Sequence, residues 1–126
     1  MRRFLKYYLP LIIWMVIIFS FSEIEGNGQA REVDIWFYIQ RKGAHIFEYF
    51  VLAFLIFRVA DLYNVTKKEG ALLALVFSFA YAVSDEIHQL FVPGRDGKLS
   101  DVGIDLIGIV LMVVIWNIWN KRRMLV

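Results

Sequence analysis

Apolar and polar positions along this chain fall into blocks, not into residue-by-residue alternation. Four blocks are almost wholly apolar: about Phe4 to Ser22, Ala44 to Ala60, Gly70 to Val92 and Val102 to Trp119. Each is close to the roughly 17–25 residues that a helix needs to cross about 30 Å of hydrocarbon. Lipid offers no partner to a backbone N–H or C=O, and four segments cannot close a β-barrel, so the blocks must be helical. Turn formers separate them: Gly26-Asn27-Gly28, Asn64, and Pro93-Gly94-Arg95-Asp96-Gly97. The pattern predicts an all-α integral membrane bundle of four transmembrane helices, built as a single domain over residues 1–126.

Composition strengthens this picture. Of the 126 residues, 60% are hydrophobic, and the mean hydropathy is +0.58. A soluble domain of this size has too little interior to hide so much apolar surface. The net charge of +2 does not signal nucleic acid, because the basic residues cluster at the ends of apolar blocks. Arg2, Arg3, Lys6, Arg58, Lys67, Lys68, Lys121, Arg122 and Arg123 fall on one side of a four-helix topology. Arg31, Arg41, Lys42, Arg95 and Lys98 fall on the other. The positive-inside rule then puts both termini in the cytoplasm of a multi-pass cell-membrane protein surrounded by lipid. Trp116 and Trp119 would join the inner aromatic belt. A short amphipathic stretch around Val33, Ile35, Trp36, Phe37 and Ile39 would lie along the outer interface. The first block also has features of a signal peptide, with Ser20-Phe21-Ser22 as a small-x-small site. Its bulky Phe21 and long apolar run favour an anchor. With no cysteine, the chain has no disulfide, thiol nucleophile or thiolate metal site.

Ionisable groups inside a span are expensive, at about 2.5–3.5 kcal/mol each near mid-membrane. This chain has many, and the alternating directions of the blocks bring them to one depth. His45, Glu48 and Tyr49 belong to the outer half of the second helix. Asp85, Glu86, His88 and Gln89 belong to the outer half of the third, and Asp101 and Asp105 to that of the fourth. Spacings of three or four put His45 with Glu48 and Tyr49, Asp85 with His88 and Gln89, and Asp101 with Asp105 on common faces. Asp85 and Glu86 point ~100° apart, so one would serve the site and the other a helix contact. Gly70, Ala74, Ser78 and Ala82 form a small-residue stripe leading to Glu86, suited to close packing in lipid. Gly108, one turn below Asp105, predicts a tight crossing. Ser20 and Ser22 end the first helix, where a back-bond to a carbonyl is a simpler role than lining the site. Trp14 reads as packing. Asn64-Val65-Thr66 matches a glycosylation sequon but falls on the cytoplasmic side.

Arg41-Lys42-Gly43-Ala44-His45 with Glu48-Tyr49, then Ser84-Asp85-Glu86-Ile87-His88-Gln89, Pro93-Gly94-Arg95 and Asp101, resembles the VanZ-like family. The resemblance runs from about Phe19 to the glycine of the fourth helix. It departs at Asp105, where the family pattern suggests asparagine, so this chain's layer is more acidic. What the resemblance implies is a membrane and envelope setting, since the founding member is associated with low-level resistance to the glycopeptide teicoplanin. It implies no settled reaction.

The candidate polar site therefore comprises Lys42, His45, Glu48, Tyr49, Asp85, Glu86, His88, Gln89, Arg95, Asp101 and Asp105. Its five carboxylates against Lys42 and Arg95 leave three negative charges to be offset by protons, a metal ion, a cationic ligand or water. Three readings stand. In the first, the layer is a structural network of paired and protonated groups. In the second, a divalent metal held among His45, Glu48, Asp85 and His88 drives hydrolysis of an outer-leaflet envelope lipid or precursor, with Arg95 gripping an anionic headgroup. In the third, the layer binds an envelope component, a lipid-linked precursor or a glycopeptide without chemistry. Four short helices without an internal repeat favour binding over transport.

Overall fold

The computed structural model describes residues 1–24, 35–95 and 97–123, without the side chains of residues 37, 38 and 121–123. Gly26-Asn27-Gly28, Arg31, Val33 and Asp96 lie outside the described residues, as do the side chains of Phe37, Lys121, Arg122 and Arg123. Among the described residues the elements are all helical: α1 (Leu9–Ser22), α2 (Ile35–Ala60), α3 (Lys67–Gln89) and α4 (Leu99–Arg123). A π-helical turn, Phe4–Tyr8, leads into α1, and a 3₁₀ turn, Asp61–Tyr63, follows α2. The first apolar block thus matches its helical stretch. The expected starts at Ala44, Gly70 and Val102 are each too late, because polar residues flanking the apolar blocks continue the helices. The interfacial stretch expected around Ile35 is the first turn of α2 itself, with Trp36 exposed.

The α2–α3 corner shows how local sequence sets these ends. Asn64 adopts a left-handed conformation, φ 54°, which asparagine tolerates better than most residues. Thr66 then caps α3: its hydroxyl accepts from Glu69 N–H, and Glu69 returns a carboxylate to Thr66 N–H at 2.7 Å. This capping box satisfies two orphan donors at once.

Side-chain contacts fix the helix directions. At one end, the hydroxyls of Tyr8 and Tyr63 hydrogen-bond, and Phe57 meets Trp116 with ring centroids 4.7 Å apart. At the other, Ser22 reaches Asp85 and His45 reaches Asp105. The helices therefore run alternately up and down, and α2 touches all three others. Ile18, Tyr49, Leu52, Phe57, Ala74, Ala82, Ile109 and Met112 form the central core. Every member of the small-residue stripe, Gly70, Ala74, Ser78 and Ala82, is buried. The outside is apolar instead: Ile12, Val16, Leu72, Val76, Val110, Val114 and Ile118 all face outward. Such an inside-out surface needs lipid to cover it.

Phe4–Ser22, Lys67–Gln89 and Leu99–Asn120 are long and apolar enough to cross a membrane. Among the described residues, the expectation of four such helices is met by three. Helix α2 differs in carrying Arg41, Lys42, His45 and Glu48 in its first half, of which only His45 is buried. Its contact with α4 is tight at Gly108. A Cβ there would lie 2.2 Å from Ile46 O and 3.1 Å from Phe50 N.

Gly108→Ala should therefore force the α2 and α4 backbones apart, at a cost of about 1–3 kcal/mol. Gly103→Ala, where a Cβ would meet nothing within 4 Å, should leave stability unchanged or slightly higher. Thermal unfolding of the two variants in detergent checks the contrast.

Candidate functional site

The alternating helix directions place the C-terminal ends of α1 and α3 beside the N-terminal halves of α2 and α4. Each contributes polar groups to the same end, and the helical period determines which neighbour each group meets. Asp85 and Glu86 illustrate this. Asp85 accepts from Ser22 Oγ at 2.5 Å and from Gln89 Nε2 at 3.2 Å, so it faces α1. Gln89 also donates to Ser22 Oγ at 3.1 Å. Glu86 turns the other way, toward α2 and α4. Its Oε2 accepts from the backbone N–H of Lys98 at 2.8 Å, which folds the α3–α4 loop over it. Gly97 permits that fold, since a Cβ would fall 2.4 Å from Glu86 O.

Between α2 and α4 the partners are charged. Lys42 Nζ donates to Asp101 Oδ1, and Arg41 Nη2 lies 3.7 Å from Asp101 Oδ2. One turn on, His45 Nδ1 and Asp105 Oδ1 are 2.9 Å apart. Asp101 and Asp105 are 1% and 0% exposed. His45, Glu86 and Asp105 converge: each offers one ligand-type atom, all within 4.8 Å of one another. Glu48 is half-buried and within electrostatic range of His45, Asp105, Asp85 and Arg95. Tyr49 is 0% exposed, and its hydroxyl has no hydrogen-bond partner among the described residues. It lies within electrostatic range of Asp85 and Asp105.

A more exposed rim lies beside this layer. His88 Nε2 is 2.6 Å from Glu23 Oε1, and its ring packs on Phe19 at 4.7 Å between centroids. Arg95 donates from Nε to Ile24 O at 2.9 Å and from Nη2 to Phe21 O at 2.7 Å. These carbonyls lie at and just past the C-terminal end of α1, where helical N–H donors run out; Phe21 O also accepts from Ile24 N–H at 3.4 Å. Partial burial and the nearby Arg41 hold the Arg95 guanidinium below its ordinary value, while Asp85, Glu86 and Glu48 draw it back up. It remains a cation near neutrality.

All eleven expected residues thus gather at one end, nine of them as three subsets, with Glu48 and Tyr49 in range of both Asp85 and Asp105. Lys42, His45, Asp101, Asp105 and Glu86 form the α2–α4 centre. Asp85 and Gln89 form a neutral-donor pocket with Ser22. His88 and Arg95 belong to the rim and to α1. Of the four residues weighed as metal ligands, only His45 is in the converging trio, which takes its carboxylates from Glu86 and Asp105. His88 is held by Glu23, and Asp85 by a hydroxyl and an amide. Two donors of the Arg95 guanidinium are committed to backbone carbonyls instead of an incoming headgroup.

Four contributors were not among the expected site residues: Ser22, Glu23, Arg41 and the Lys98 backbone. Ser22 and Glu23 end the first apolar block at the level of the polar layer, which was the available signal. Ser20 back-bonds to Val16 O at 2.7 Å, as that position suggested. Trp14 is a packing residue with a tether, since its Nε1 donates to Glu48 O at 2.9 Å. A cavity of about 270 Å³ sits at the opposite end of the bundle, lined by Lys6, Tyr7, Phe54, Phe57, Arg58, Asp61 and Trp116. It shares no residue with the polar layer.

A family model described as VanZ/LLP1 matches residues 7–120. No curated protein and no solved structure matches the chain.

The two Lys–Asp pairs of the bundle differ sharply in setting, and their removal should differ likewise. Lys42→Met strands the buried Asp101 carboxylate with Arg41 as its remaining cation, and should cost about 3–5 kcal/mol. Lys67→Met breaks a pair with Asp61 whose side chains are 49% and 50% exposed, and should cost under about 1 kcal/mol. Chemical denaturation in mixed micelles measures both.

Proposed function

The chain belongs to the VanZ/LLP1 family, and on that premise we propose that its polar end recognises a component of the cell envelope. The observation that carries this reading is the concentration of buried carboxylates at one level of an otherwise apolar bundle. Asp85, Glu86, Asp101 and Asp105 are all 5% exposed or less. Leucine at these positions would be cheaper in lipid, as the apolar lower half of each helix demonstrates. Such a cost is sustained at functional sites more often than elsewhere.

In this reading the protein is a multi-pass protein of the cell membrane, with α2 as the fourth crossing, sheltered by the others. Both termini are cytoplasmic. The support is electrostatic: Lys6, Arg58 and Lys67 share the end opposite the carboxylates, which suits the cytoplasmic face. The acidic layer then faces outward beneath the Val92–Lys98 loop. Carboxylate oxygens left without donors suit a ligand that presents ammonium or hydroxyl groups. A lipid-linked envelope precursor does so, and so does a glycopeptide such as teicoplanin. His88, Glu23 and the loop around Arg95 form the rim that such a ligand meets first. Arg95 acts in this scheme by holding α1 in place.

Two experiments test the proposal. The cysteine-free chain accepts single reporters cleanly. Leu99→Cys should react with a membrane-impermeant maleimide in intact cells, and Lys68→Cys only after permeabilisation. The reverse pattern overturns the orientation. In a susceptible host whose teicoplanin tolerance rises on expression of the wild-type protein, Glu86→Gln and Asp105→Asn should abolish the rise at unchanged membrane abundance. Full retention by both variants removes the polar layer from the function.

A further inference from the structure

Three helices each send one buried metal-type donor to a common point. His45 of α2, Glu86 of α3 and Asp105 of α4 are 8%, 5% and 0% exposed. One ligand atom from each lies within 4.8 Å of the other two. A second observation is independent of that convergence. Glu86 Oε1 and Asp105 Oδ2 are buried and have no hydrogen-bond partner among the described residues. A carboxylate oxygen with nothing to accept from is costly in a low-dielectric interior. Two such oxygens, on carboxylates that converge with one imidazole, call for a positive partner.

We propose that His45, Glu86 and Asp105 bind one divalent transition-metal ion of the zinc or manganese class. The ion takes the carboxylate oxygens left without donors, so an envelope ligand meets its open coordination position instead; the site itself does not require that ligand. Metal–ligand distances of about 2.0–2.2 Å put the ligand atoms of a tetrahedral ion about 3.3–3.6 Å apart. Rotamer changes of up to about an ångström close the trio, whose atoms lie within 4.8 Å of one another. His45 Nδ1 and Asp105 Oδ1, 2.9 Å apart, are already close enough to be neighbouring ligands. The ion takes the place of the proton they share, and that proton leaves to solvent on binding.

The donor set narrows the ion. One imidazole and two carboxylates favour zinc or manganese over magnesium and calcium, which prefer oxygen alone. The supporting shell is present as well. Lys98 N–H fixes Glu86 through Oε2 at 2.8 Å, leaving Oε1 for the ion. The Lys42–Asp101 pair, one helical turn away, holds α2 against α4 at the level of His45. Three protein ligands leave at least one coordination position for water or a ligand oxygen, the arrangement of working sites more than of purely structural ones.

The experiment uses full-length protein without a polyhistidine tag, purified in detergent micelles and stripped with EDTA. It is loaded with ZnCl₂ or MnCl₂ alone, desalted, and its bound ion counted by inductively coupled plasma mass spectrometry. Wild type should retain about one ion per chain. Asp105→Asn and Glu86→Gln should weaken binding at least tenfold, while Glu23→Gln, at the exposed His88 pair, should not change it. Spin-echo spectroscopy of the manganese-loaded wild type should show coupling to an imidazole nitrogen, which decides the matter even if a variant fails to fold. Wild type that retains no ion, an ion without nitrogen coupling, or loss shared equally by Glu23→Gln would each overturn the site. Envelope recognition fails separately, in the susceptibility assay.

Discussion

Two aspartates one turn apart on α4 hold α2 by its cationic and imidazole groups. Asp101 takes Lys42, with Arg41 at its second oxygen, and Asp105 takes His45. In lipid neither side could leave its partner without stranding a charge, so these pairs determine how α2 and α4 meet. Gly108 then lets the two backbones touch one turn below, where a side chain would strike Ile46 O. On α3, Gly70 lies against Phe57 of α2, and the rest of the stripe up to Ala82 is buried within the bundle. The position of Glu86 beside His45 follows from the crossing of α2 and α4.

The distribution of polarity is the reverse of a soluble bundle. Leu72, Val76, Val110 and Val114 face outward, and Asp85, Glu86, Gln89, Asp101 and Asp105 face inward. The arrangement works because each buried acid keeps at least one partner of its own. These include a hydroxyl and an amide for Asp85, a loop N–H for Glu86, cations for Asp101 and an imidazole for Asp105. The oxygens left over lie on Glu86 and Asp105, the pair that faces His45.

Much of this was legible in the residues. Helix number, the small-residue stripe, the tight crossing at Gly108 and the gathering of polar groups at one end all follow from period and alternation of direction. The different facings of Asp85 and Glu86 follow from the angle between adjacent helical residues, but not which neighbour each would find. That depends on the rotation of α3 about its axis, which the packing of Ala74, Ser78 and Ala82 determines and single-residue spacing does not reveal. The same ignorance of rotation made His88 look central, when it points across to Glu23 and Phe19. Helix starts were set too late because polar first turns, such as Lys67–Glu69 with its capping box, have no apolar signature. Arg95 looked like an anion grip because an arginine after Pro-Gly gives no hint that the end of α1 would present two carbonyls to it.

Helix α1 contributes only Ile18 and Ser22 to the buried set among the described residues. Its attachment to the polar end rests on the Ser22 hydroxyl, the Glu23 and Phe19 contacts with His88, the Trp14 indole and the two Arg95 donors. With so little of its surface buried, α1 is a stave laid against a frame that the α2–α4 clasp already holds, so substitutions along its length should leave that clasp undisturbed.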